Sequence, residues 1–380
     1  NEEYEGNDIR KAIDYFCHFA KTPVDYENIK NNDTDFSQKE IFNKIKWIKD
    51  SNENLYLPNY VDVLRVAFTY KFKRGKLQDL VSLLSGRDFE TREYKPEIIE
   101  DSCKKLYEGV KAFVDKTNFE RYVMILKSAG IIDDSLIRSQ NVLNFGYILF
   151  LLLREKKESP DVIEKLVKKW VIMSIITQRY SSSPESQFDV DIRRLNDAED
   201  LVNYIELELS RNLTDTFWDS ILVEKFNTSV ASSPFWKTYL IAQIALNDNA
   251  FLSKDMKVRT LVEGRGDVHH IFSKNYLQKN GKNNMSVYNQ IANFALIQTE
   301  TNLQISDMSP KEYMQIVNTQ CTSKGNEIGS INEKDKLLEN LKINCIPESL
   351  YLMNVDDYDS FLKQRRILMA KKIKDYYNTL

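Results

Sequence analysis

Apolar residues recur along this chain mostly three and four positions apart, the spacing of a helix with one buried face. The pattern predicts helices over residues 8–20, 60–70, 96–115, 118–129, 162–177, 197–209, 234–245 and 358–377. Ser37-Gln38-Lys39-Glu40 has the form of a capping box and opens a further stretch with Ile41, Phe42, Ile45 and Ile48 at helical spacing. The strongest apolar run, 142–153, is interrupted by Asn144 and Gly146. It falls well short of the about 20 residues that a bilayer span needs, so it predicts a buried core helix. Polar loops at 181–184 and 280–284 separate elements. Near Leu261 the period changes: Gly264 and Gly266 bracket Arg265 ahead of a short strand-like run, 267–272, and a second such run, 294–297, follows a polar loop. Thr299 then opens a short helix. Ser309-Pro310-Lys311-Glu312 supplies the cap, the first-position proline and the glutamate of another.

These elements predict a mainly α protein: an all-α body over 1–255, a small insertion of two strands and a helix over 256–310, and a helical segment over 311–380 packing on the body. No repeat of fixed period is visible.

Composition bounds this picture. The chain has 380 residues, 42% of them hydrophobic, with 20 Tyr, 19 Phe and 4 Trp, enough to exclude disorder as the dominant state. With 53 Lys and Arg against 56 Asp and Glu, the net charge is −3, which argues against binding nucleic acid through bulk positive charge and directs attention to local patches. Residues 361–380 form one, with Lys363, Arg365, Arg366, Lys371, Lys372 and Lys374 against the single anion Asp375, although charge runs are often no more than solvated faces. Cys17, Cys103, Cys321 and Cys345 contain no C-x-x-C pair, which argues against a disulfide framework or thiolate zinc and predicts a reducing, cytoplasmic setting. The start, Asn1-Glu2-Glu3-Tyr4-Glu5, carries neither a secretion signal nor an initiator Met, so a piece of a longer protein and no membrane partner are expected.

Only three histidines are present, and two of them, His269 and His270, are adjacent. His18, within Tyr15-Phe16-Cys17-His18-Phe19, reads as an ordinary helix residue. Neighbouring side chains of a strand point to opposite faces, so His269 and His270 suit a division of labour, one imidazole ligating a divalent ion and the other taking a proton from water. Asn302, at the start of the helix after the second strand, offers a neutral oxygen to the same ion. One His, one Asn and open positions suit Mg²⁺ or Mn²⁺.

Asp267-Val268-His269-His270-Ile271-Phe272-Ser273-Lys274-Asn275-Tyr276-Leu277, followed by Asn289-Gln290-Ile291-Ala292-Asn293-Phe294-Ala295-Leu296-Ile297 and Asn302, resembles an HNH (His-Me finger, ββα-metal) nuclease. More narrowly, it resembles the C-terminal helical and nuclease region of GmrSD-like type IV restriction endonucleases, which carry [D/H]-H-I-F-P-K-x-x-L and I-x-N-L-x-L-L…N segments. The segment from Gln178-Arg179-Tyr180 to Arg193-Arg194 is similar to a loop in the helical part of those proteins, and Arg365-Arg366-Ile367-Leu368-Met369-Ala370 also fits.

The resemblance implies that 256–310 is a ββα-metal finger with His270 as general base. It implies His269, where many relatives have Asp, and Asn302 as ligands of one Mg²⁺ or Mn²⁺, and Asn293 as the residue that holds the finger loop and orients His270. DNA contacts are expected from Arg265, Lys274, Lys279, Lys282, Arg193 and Arg194; for Lys274 a merely solvated position, and for Arg265 a plain glycine turn, stay open. The implied activity is a metal-dependent DNA endonuclease of restriction or anti-phage defence, with modified and unmodified phage DNA both open as targets. A non-catalytic helical adaptor with a structural metal finger and an RNA-directed nuclease are the alternatives. Two departures stand out: Ser273 replaces a proline, which should loosen the turn after the first strand, and no D-G-Q-Q-R-type ParB-like domain is present, so that domain is expected in cis or in trans. Nothing in the sequence speaks to oligomeric state.

Overall fold

The computed structural model describes residues 6–51, 53–264 and 266–380, so Arg265 lies outside the described residues. The protein is mainly helical, with 69% of the chain in helices and 3% in strands. Two compact units divide it: one comprises residues up to Lys127 with Ser139–Arg211, the other Ser128–Arg138 with Asn212–Leu380. Residues 1–255 are thus shared between the units, while 256–310 and 311–380 both fall in the second.

In the first unit the helices Tyr60–Phe72, Pro96–Val114, Gln140–Glu155 and Pro160–Ile176 build the core. The run 142–153 lies within Gln140–Glu155 and is buried at every position. Both of its interruptions have a use. Asn144 accepts from Tyr56 Oη at 2.9 Å and donates to Asp62 Oδ1 at 2.7 Å, which satisfies a fully buried amide. At Gly146 a Cβ would stand 2.5 Å from Tyr122 Oη and 2.7 Å from Val171 Cγ2, so the close approach of the Tyr122 ring requires glycine.

Two sequence expectations fail in this unit. The Ser37 capping box does not form, because Ser37 is the last residue of the short helix Thr34–Ser37 and its hydroxyl donates back to Thr34 O at 2.8 Å. The next helix, Glu40–Ile45, is entered through extended Lys39 without a side-chain cap. The 178–194 segment is not simply a loop: Pro184 opens the helix Pro184–Asp197, whose Phe188, Ile192 and Leu195 recur at helical spacing and are buried.

In the second unit β1 (Asp267–His270) pairs antiparallel with β2 (Phe294–Ile297), aligning Asp267 with Ile297, His269 with Ala295 and His270 with Phe294. The helix Thr299–Ile305 follows β2, and the helix Pro310–Ser323 starts with the capping box expected between Ser309 and Glu312. Ser273, at the position of the expected proline, follows β1 in the turn. It caps the helix Lys274–Lys279, its hydroxyl accepting from Tyr276 N at 3.4 Å, as serine does at that position. The helices Pro234–Ala245 and Tyr358–Thr379 pack against each other in the same unit. Among the described residues no helix is long and apolar enough to cross a membrane.

Candidate functional site

β1 begins one residue after Gly266, where a Cβ would lie 2.7 Å from Leu261 Cβ; the chain turns into the strand against the helix Val258–Glu263. From β1 onward the strand period sorts the side chains. Asp267 and His269 share one face and His270 takes the other. Opposite His269 the small Ala295 leaves room, and the imidazole packs at 6.0 Å from the Phe251 ring and 6.2 Å from Tyr313.

His269 Nδ1 lies 2.8 Å from Asn302 Oδ1, and Asn302 Nδ2 donates to Asp267 Oδ2 at 3.2 Å. A carboxylate only accepts, so it fixes which end of the amide faces it and leaves Oδ1 to His269, whose Nδ1 must therefore be the N–H. His269 Nε2 is buried without a hydrogen-bond partner. Burial lowers the His269 pKa to about 4, against the opposing pull of the Asn302 bond, and the imidazole is neutral at pH 7.

His270 has a different set of neighbours. Its Nε2 is 3.0 Å from Asn289 Oδ1, while Asn289 Nδ2 donates to Ser229 O at 3.1 Å. The Ser229 carbonyl orients that amide by the same logic, so His270 Nε2 carries the hydrogen and Nδ1 the lone pair. Burial also lowers the His270 pKa, the Asn289 bond opposing it and Lys274 adding to it. Phe294 meets the ring edge to face at 5.0 Å.

Asn293 is fully buried between the strands. Its Oδ1 accepts from Phe272 N at 2.8 Å, and its Nδ2 donates to Phe272 O at 3.0 Å and Tyr288 O at 3.2 Å. It thus ties Phe272, two residues past β1, to the residue just before β2. The structure brings His269 and Asn302 into direct contact; it gives His270 a separate partner on the opposite face of β1, and Asn293 joins the loop behind both.

The expected DNA-contacting residues are spread out. Lys274 is exposed with Nζ 5.4 Å from the Tyr288 ring centre, and among the described residues no carboxylate pairs with it. Lys279 pairs with Asp307 at 2.6 Å and Lys282 with Asp359 at 3.3 Å. Arg193, bonded to Asp189 at 3.0 Å, and Arg194 are exposed but belong to the other unit. The segment around them has a structural task there: Arg179 grips Asp191 with two bonds of 2.8 and 2.6 Å and Glu208 with one of 2.8 Å, and Tyr180 Oη donates to Asp191 at 2.8 Å. His18 pairs with Asp25 at 2.7 Å.

The basic C-terminal segment is largely neutralised, Lys371 by Asp375, Lys372 by Asp248 and Lys374 by Asp215 and Asp219. Arg365 is fully buried; it donates to Ala292 O at 2.7 Å and Asn344 O at 3.3 Å and so clamps the turn that leads into β2.

Sequence reasoning missed Arg365 in this role, and it missed Asn289 and Asp267. Asn289 lies four residues before Asn293 inside a quoted motif, and Asp267 lies two before His269; the strand period was the available signal for the latter. Among the described residues no group of three or more His, Cys, Asp or Glu is placed to hold a metal ion. The donors at the His269 pair are one imidazole nitrogen, one amide oxygen and, behind the amide, one carboxylate.

No protein-family model matches the chain, and no solved structure matches it. An uncharacterized protein of Methanocaldococcus jannaschii is 24% identical over 86% of this chain and 55% of its own length. Dynein light chain Tctex-type protein 2B of Bos taurus is 23% identical over 25% of this chain and 62% of its own. The chain spans about half the length of the first of these relatives.

Proposed function

We propose that this chain is a metal-dependent endonuclease that hydrolyses phosphodiesters of DNA in restriction or anti-phage defence, with 256–310 acting as a ββα-metal finger. The observation that carries the reading is the meeting of His269 and Asn302 across the strand–helix junction, next in sequence to a histidine whose Nε2 is already occupied.

His269 and Asn302 suit one Mg²⁺ or Mn²⁺. Their facing atoms, 2.8 Å apart, would be the two protein ligands of such an ion. His269 is already neutral at pH 7, and ligation through Nδ1 would require its proton to move to Nε2, which has no hydrogen-bond partner. The ion would supply positive charge to the phosphate and to the departing 3′ oxygen.

His270 does the proton work. Asn289 fixes Nε2 as the donor and turns the Nδ1 lone pair into the base. Nδ1 takes a proton from water as the water oxygen bonds to phosphorus and the bond to the 3′ oxygen breaks. Asn293 holds the loop that sets the direction of His270. Lys274, next to His270 and without a carboxylate partner, contacts a phosphate; Lys279 and Lys282 exchange their carboxylates for phosphates on binding, contacts that fix position and read no sequence. A ParB-like domain in cis or in trans would supply target choice.

Incubating the chain with supercoiled plasmid and Mn²⁺, with an RNA substrate alongside, tests this reading. Nicking that disappears with EDTA and with His270→Ala is expected; cleavage that survives His270→Ala overturns the mechanism, and cleavage of RNA alone moves the substrate class.

A further inference from the structure

The amide of Asn302 is useful to an ion only in one of its two orientations. With Oδ1 facing His269 it offers an oxygen; turned over, it presents an NH₂ group, which cannot ligate. His269 alone does not settle the choice, because its ring accepts either end of the amide by changing tautomer, and its Nε2 has no partner to prevent that. Asp267 settles it. The residue stands on the same face of β1 as His269, two positions earlier, and its Oδ2 takes the Asn302 Nδ2 hydrogen at 3.2 Å. Turning the amide over would set an oxygen against a carboxylate.

We propose that Asp267 is the positioning residue of a divalent-cation site: it aims Asn302 Oδ1 at the ion and lends the site a negative charge that His269 and Asn302 lack. The inference rests on the nuclease reading for the presence of the ion and adds a residue which that reading does not contain. Among the described residues no cation pairs with Asp267, so its charge remains for a ligand. An outer carboxylate of this kind typically contributes 10–100-fold to metal affinity.

Mn²⁺ binding to the whole chain, followed by electron paramagnetic resonance without nucleic acid, provides the test. Asp267→Ala should weaken binding by about 10–100-fold. Asp267→Asn keeps an acceptor but loses the charge and should fall between that variant and the native protein. The metal-free melting temperature of each variant reports whether it is folded, and Asp267→Asn carries the test if Asp267→Ala does not fold. Affinity within twofold of native in a folded variant overturns the proposal, and if metal-dependent plasmid cleavage persists there the nuclease reading stands without it. A native chain that binds Mn²⁺ through Asp267 but cleaves neither DNA nor RNA leaves the proposal standing and removes the nuclease. A native chain that binds no Mn²⁺ removes both.

Discussion

Adjacent in sequence, His269 and His270 have been taken out of water for different ends. For His269 the sign of the effect is firm. Its folded pKa of about 4 lies below the usual 6.5, so at pH 7 the folded chain is neutral there and the unfolded chain mostly so. As the pH falls through 6.5 the unfolded chain takes up a proton that the folded chain refuses, and stability is lost down to about pH 4, by about 3 kcal/mol in total. Denaturant titrations in EDTA at pH 7 and pH 4.5 measure the loss, and His269→Gln should reduce it. For His270 the lowered pKa has a kinetic consequence. In the proposed mechanism the neutral imidazole is the working form, and burial keeps it neutral below the ordinary histidine value. Cleavage should therefore hold at pH 6.5 and decline only at more acid pH; a rate already half lost above pH 6.5 would contradict Nδ1 as the base.

Among the elements, the strand pair depends less on its own ladder than on the side chains at the end where the 271–293 connection joins it. Four residues a side make a short hairpin, and pairs this small are marginal in water unless something else holds them. Asn293 does so with three buried bonds to main-chain groups. Asn293→Ala would leave the Phe272 N–H and carbonyl unpaired in the core and should cost about 2–4 kcal/mol, read by chemical denaturation. This is also the scale at which the sequence was most and least legible. Long periodic helices such as Gln140–Glu155 and Tyr358–Thr379 were readable because one face or all faces are apolar over many turns. Both strands were found as well, since a short apolar run between loop signals has few other uses. The helix Pro184–Asp197 was not, because its Ser-rich approach and charged surface hid Phe188, Ile192 and Leu195. Asn302 and His269 could be paired from the strand–helix order and from the motif that residues 267–302 resemble, whereas Asn289 and Arg365 could not, because each acts through a partner that only the fold brings near.

At the scale of the molecule, part of the charge that looks available in the C-terminal segment is spent within the chain. Of the cations of 361–380, Lys371, Lys372 and Lys374 meet Asp375, Asp248, Asp215 and Asp219, Arg365 is buried, and Arg366 donates to Gln290. If DNA is held by the Lys274, Lys279 and Lys282 group of the proposed finger, the slope of log K against log salt should be about −3, the release expected for three phosphates. A filter-binding series from low to moderate salt with the catalytically silent His270→Ala chain checks this, and a much steeper slope would reveal a basic surface unlike the one described. The Arg365 clamp carries a last consequence, which concerns the order of synthesis. A ribosome that has released β1, β2 and the helix bearing Asn302 has already made His269, His270 and Asn302, but the guanidinium that grips Ala292 arrives only with the helix Tyr358–Thr379. A nascent or prematurely terminated chain therefore carries His269, His270 and Asn302 without the brace at Ala292, and under the proposed function it would become competent to cut only when translation has passed that helix.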